Sequence, residues 1–179
     1  MKTQIRQGVF ETNSSSTHAI SIAEFNDAAK KNIPEFIKFR HDECFGWENA
    51  IYNDTMSKAM YLWIAVLSQY SKPDDEDKVI EIKSRLTEIL KNAGVQEVAF
   101  QEANYKTSTW DKTYTYLDIA GYIDHTEDLR GWIDELLDEP DLLLGWLFNE
   151  NSQVHTGNDN SDEPPGFNSK AIWTMWKGN

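Results

Sequence analysis

Apolar and polar positions change period several times along the chain, and each change marks an element. His18 to Ile22 alternates with a period of two, the pattern of a strand. Gln4-Ile5-Arg6 reads the same way, so an N-terminal hairpin is expected over about residues 4–22. Phe36 to Arg40, Val98 to Gln101, Tyr114 to Ile119 and Ala171 to Trp176 are further strands by the same criterion. Ala23 to Lys31 predicts a short helix, with Ser21 as its cap and Pro34 beyond its end. Met56, Met60, Trp63, Leu67 and Tyr70 recur at helical spacing behind Asn53 or Asp54, which predicts an amphipathic helix.

Pro73 opens another helix, whose first turn gathers Asp74, Asp75, Glu76 and Asp77 at the positive end of its dipole. Val79, Ile82, Leu86, Ile89 and Leu90 form its apolar face, and Gly94 supplies the stop. Leu129, Trp132, Ile133, Leu136 and Leu137 mark a further helix, with Thr126 as its expected cap. The run from Leu142 to Phe148 after Pro140 has too little polar surface for an exposed helix and is expected to be buried. His41 to Glu48 reads as a polar bend, and Asn104 to Lys112 and Gly157 to Gly166 as loops. Helices and strands do not alternate regularly, and neither a repeat nor a linker interrupts the chain. The expected fold is a single α+β domain over residues 1–179, a small mixed or antiparallel sheet packed with about four to five helices.

The opening stretch from Arg6 to His18 departs from this economy, because only Val9 and Phe10 in it are large and apolar. Asn13, Ser14, Ser15 and Ser16 favour turns by bonding nearby backbone amides, so a plain polar hairpin loop is one reading. The other is an anion pocket. Hydroxyls and backbone N–H groups can cradle a phosphate, Arg6 can clamp it as a fork, and His18 can move a proton near neutral pH, oriented by Glu11. Neither a Walker-type phosphate loop nor a G-x-S-x-G nucleophile elbow is present. His125 follows the strand read over Ile119 to Ile123 and directly precedes the helix start expected at Thr126, where free N–H groups suit an anion. His155 to Glu163, containing Asp159 and Asn160, is rich in oxygen ligands but lacks the EF-hand spacing. It is read as a surface loop, or as a contributor to the pocket. Glu48 is a lesser candidate, and His41 has only Asp42 beside it.

Arg6, Gly8, Phe10, Glu11, Thr12, Asn13, Ser14, Ser15, Ser16 and His18 spell R-x-G-x-F-E-T-N-S-S-S-x-H. In this the chain resembles a family of small proteins from phages and mobile elements of Gram-positive bacteria. Phe45-Gly46-Trp47-Glu48, Ile123-Asp124-His125 and Gly157-Asn158-Asp159-Asn160 resemble three further islands of the same pattern. In size and kind the chain is also similar to some Cas9-directed anti-CRISPR proteins of streptococcal phages. The resemblance implies an anti-defence role in the cytoplasm of a bacterial host.

Charge and cysteine content narrow the choices. The chain has 17 basic and 30 acidic residues, a formal net charge of −13, so a general basic surface for nucleic acid is not expected. Such acidity is either simple solubility or a surface offered to a basic nucleic-acid-binding protein. Cys44 is the single cysteine, which excludes an internal disulfide, and is expected to be a small buried apolar residue. No apolar run approaches a membrane span and no hydrophobic leader is read at the N-terminus, so an intracellular, soluble protein is expected.

Three readings follow from these residues. In the first, a metal-independent and cofactor-free ribonuclease uses His18, His125, Glu11 and Ser15 as catalytic groups. Arg6, Asn13, Ser14, Ser16, Asp159 and Asn160 then bind the phosphate. The substrate is guide RNA delivered by a Cas9-type complex, or RNA carried by another basic partner. In the second, a non-enzymatic acidic inhibitor occupies a nucleic-acid channel. A small-molecule nucleotide or phosphoryl enzyme is the third class, favoured if Glu11, Asp124 or Asp159 holds a divalent metal.

Overall fold

In the computed structural model, residues 16–46, 48–109, 113–124, 128–158 and 164–177 are described. Among them the chain forms an α+β domain with five α-helices and ten strands. The main sheet has four strands in the order β10-β1-β9-β4, all antiparallel to their neighbours: Ala171–Lys177, Ser16–Ala23, Gln153–Asn158 and Ala50–Tyr52. Three two-stranded pairs complete it. Phe36–Phe39 (β2) runs parallel to Glu97–Phe100 (β5), and Cys44–Phe45 (β3) parallel to Tyr122–Ile123 (β8). Asn104–Ser108 (β6) and Tyr114–Asp118 (β7) make an antiparallel hairpin.

β1 lies inside the main sheet. From His18 to Ser21 both its edges are occupied, one by β10 and the other by β9, so its two neighbours come from the C-terminal part of the chain. The expected partner strand Gln4-Ile5-Arg6 falls outside the described residues, as does Thr126.

Helix α2 (Thr55–Gln69) is the centre of the core. Its spacing predicts an amphipathic helix, yet every residue from Lys58 to Leu67 is buried. The reason is enclosure on several sides by β2, β8, α4 (Arg130–Asp138) and α5 (Pro140–Phe148). Asp54 caps it by accepting from Ser57 N–H, as expected. α5 is buried from Leu142 to Phe148, which its near-continuous apolar run foretells. A short 3-10 turn at Pro73–Asp75 leads into α3 (Glu76–Ala93), and Gly94 ends it at φ +112° in the left-handed region.

Several local expectations change. The first helix shrinks to Asp27–Lys30 (α1) because β1 continues to Ala23, and Asn26 rather than Ser21 accepts the capping amides. Asn104–Ser108 is a strand, since Thr107 and Thr115 face each other across a hairpin with their hydroxyls 3.1 Å apart. The supposed loop at Gly157 begins as the end of β9. Cys44 is exposed, because strand alternation turns Phe45, not its neighbour, into the core.

Gly145 lets α5 lie directly on β1: a Cβ there would sit 2.4 Å from the Ala23 carbonyl oxygen. Gly145→Ala is therefore expected to destabilise the fold by about 1–3 kcal/mol through overpacking. Gly131→Ala, with nothing within 4 Å of the new Cβ, should instead add roughly 0.5–1 kcal/mol through helix propensity. Urea midpoints of the two variants check the contrast.

Candidate functional site

Of the ten candidate residues, Ser16 and His18 are described; Arg6, Glu11, Asn13, Ser14, Ser15, His125, Asp159 and Asn160 lie outside the described residues. Ser16 and His18 share one face of β1, the face that carries Ile20 and Ile22 into the core, and both are 0 % exposed. His18 Nε2 is 3.1 Å from the Gly46 carbonyl oxygen and 3.0 Å from Ser16 Oγ. Its Nδ1 is 3.0 Å from the Tyr61 hydroxyl. A carbonyl only accepts, so the proton belongs on Nε2, and Nδ1 accepts from the Tyr61 O–H. Burial pushes the Tyr61 phenol far above its ordinary range and keeps it a donor. The Ser16 hydroxyl also reaches the Gly46 carbonyl, at 3.3 Å.

With its Nε2–H aimed at a carbonyl, His18 cannot in this arrangement receive the Ser16 proton. It joins β1, the Gly46 turn and α2. Around it the rings of Phe45, Trp132 and Trp146 pack edge-on against Tyr61.

The four motif islands meet in their described parts. The first supplies Ser16 and His18, which bond Gly46 of the second. The third adjoins the second, because β8 pairs with β3 and Asp124 N–H donates to the Phe45 carbonyl at 2.9 Å. The fourth lies along the first, with Gly157 opposite Thr17 and Asn158 opposite Ser16. Thr156, just before it, donates its hydroxyl to the Glu48 carbonyl at 2.6 Å. The motif residues thus surround the N-terminal end of β1. The buried parts of this junction are Ser16, His18, Phe45 and Gly46, and Glu48, Tyr122, Asp124 and Asn158 form its accessible rim.

The rim is acidic. Burial, reinforced by the carboxylates of Glu43 and Glu48, pushes the Tyr52 phenol above its usual range. Among the described residues no cluster of three or more His, Cys, Asp or Glu is placed to hold a metal ion.

The other two described histidines hold turns together. His41 Nε2 donates to the Glu102 carbonyl while its Nδ1 accepts from Ala120 N–H. His155 Nε2 donates to Asn49 Oδ1, and its Nδ1 accepts from Gly166 N–H. Sequence reading missed Lys58, which is only 1 % exposed and donates to the carbonyls of Asn149 (2.7 Å) and Ser152 (3.2 Å). Burial lowers its pKa to about 8, against the opposing pull of Asp54 and Glu150. Its signal in the sequence was a lone lysine within the most apolar stretch of a helix.

Two predictions follow. His18→Ala strands the Tyr61 hydroxyl in the core and removes one donor from the Gly46 carbonyl, so it should cost on the order of 2–4 kcal/mol in chemical denaturation. For Lys58, the unfolded chain holds its proton up to pH 10.5 and the folded chain only to about 8. In that window the unfolded state binds more protons, so its contribution makes stability rise with pH. Thermal melts from pH 7 to 10 should show that rise in the wild type and its loss in Lys58→Met. Comparison of the chain with protein-family models, curated proteins and solved structures finds no match.

Proposed function

We propose that the junction at the N-terminal end of β1 is a ligand site directed at a phosphodiester, and that the chain is an anti-defence protein acting on RNA brought to it by a basic partner. The supporting observation is the convergence of the four islands: segments as distant as Ser16, Gly46, Asp124 and Asn158 share one junction. A hairpin loop whose serines merely satisfied local amides would need no such partners.

RNA carries its own nucleophile. The 2′-oxygen bonds to phosphorus, its proton passes to a base, and the bond to the leaving 5′-oxygen breaks as that oxygen gains a proton from an acid. His125, next in the chain to Asp124, and Glu11 are the groups proposed for proton transfer, and Ser15, just before Ser16, is proposed to stabilise the charge that develops on the phosphate. Arg6, Asn13, Ser14, Asp159 and Asn160 are proposed to bind around the phosphate. His18 and Ser16 hold the platform. A chain of net charge −13 approaches free RNA poorly, so delivery on a Cas9-type guide-RNA complex, or another basic carrier, fits its electrostatics.

Acidity by itself favours a second reading, a non-enzymatic inhibitor seated in a nucleic-acid channel. Guide RNA on a denaturing gel separates the two. The expected result is discrete cleavage of Cas9-bound guide RNA, slowed about 100-fold or more in Ser15→Ala and His125→Ala variants that melt like the wild type. Intact guide RNA with blocked DNA binding would replace the ribonuclease by the occluder. Unaffected RNA and unaffected effector would overturn both.

A further inference from the structure

The hairpin β6–β7 stands against α3 and leaves a recess between them. Its floor and walls are Trp63 and Leu67 of α2, Val79 and Ile80 of α3, and Ala103 and Leu117. Tyr105, directly opposite Leu117 in the hairpin, closes one side, and its hydroxyl donates to the Lys72 carbonyl at 3.3 Å. Glu76, Ile80 and Lys83 follow one another at i, i+4 and i+7, so a single face of α3 forms the other side. Ile80 is 57 % exposed and Tyr105 36 %, which leaves an apolar opening on an otherwise charged surface.

Size limits what can enter. The recess measures about 90 Å³, against ~300 Å³ or more for a typical small-molecule site. It suits the end of one side chain rather than a nucleotide.

Charge then selects the side chain. The cation within the recess is already satisfied: Lys83 Nζ lies 3.0 and 3.1 Å from the two Glu102 oxygens and over the rings of Trp63 and Phe100. An incoming carboxylate would have to displace Glu102. On the wall, by contrast, Glu76 forms no ion pair among the described residues, and neither does Asp75 just before it. Their field reaches the hairpin, since burial and then Glu76 and Asp75 raise the Tyr105 phenol above its ordinary value. A guest with an aliphatic stem and a cationic tip meets both demands, with its methylenes on Ile80 and Leu117 and its charge between Glu76 and Asp75.

We infer that the recess between α3 and the β6–β7 hairpin docks an extended, arginine- or lysine-bearing segment of a basic partner protein. The inference rests on the proposed basic partner and names the surface that would hold it, away from the motif junction at β1.

The test uses the full chain and a fluorescein-labelled decapeptide of alternating arginine and leucine, followed by anisotropy. A glutamate–leucine decapeptide is the charge control. The expected result is binding that weakens with salt, is lost for the acidic peptide, and falls about tenfold or more in Glu76→Lys and in Ile80→Ser. Glu88→Lys makes the same charge change on α3 outside the recess and should alter affinity less than about twofold. Equal loss in Glu88→Lys and Glu76→Lys would reduce the effect to general acidity and overturn the inference. Binding unaffected by Ile80→Ser, or no binding at all, would overturn it too. Because the peptide needs no effector and no RNA, this outcome is independent of the guide-RNA gel. Peptide docking without an effect on the effector would keep the recess and discard that partner, whereas effector binding untouched by Glu76→Lys would do the reverse.

Discussion

Enclosing α2 on all sides from Lys58 to Leu67 is the constraint on which the rest depends. A helix with no wet face must find a partner inside the protein for every polar atom it carries. Lys58 reaches the carbonyls that follow α5, Tyr61 reaches His18 on β1, and Trp63 Nε1 donates to the Gln101 carbonyl after β5. Trp146 of α5 returns the favour by donating to the Lys58 carbonyl. These contacts tie the helix to three distant parts of the chain. Trp132 Nε1 is the one buried side-chain donor left without an acceptor among the described residues.

The same constraint shapes the motif junction. Because Tyr61 offers its hydroxyl to His18 Nδ1, the imidazole proton is fixed on Nε2, and that proton in turn fixes the Gly46 turn. Gly46 precedes Glu48 and follows Phe45, whose carbonyl receives Asp124. One buried tautomer thereby sets the spacing of the rim.

Charge is arranged on a coarser scale. Most ion pairs among the described residues are exposed and add little stability. Glu76 and Asp77 in the first turn of α3 serve the helix dipole, and Glu76 also lines the apolar recess beside the hairpin. Local helix chemistry and surface recognition draw on the same side chains there, so neither use requires extra residues. No described helix is long and apolar enough to cross a membrane.

The sequence by itself determined the elements whose cause is local. Asp54 caps α2, Gly94 stops α3, and the apolar run after Pro140 is a buried helix, because caps, backbone freedom and side-chain periodicity act within a few residues. It also marked the four islands. Tertiary structure decided what depends on distant partners. Only packing made α2 buried on every face rather than amphipathic, turned Cys44 outward, and paired Asn104–Ser108 with a strand. It placed β1 between β9 and β10 and made His18 a buried link. A histidine's tautomer and exposure are set by what lies across from it. Gly46 and Tyr61 are 28 and 43 residues away, beyond the reach of any local pattern.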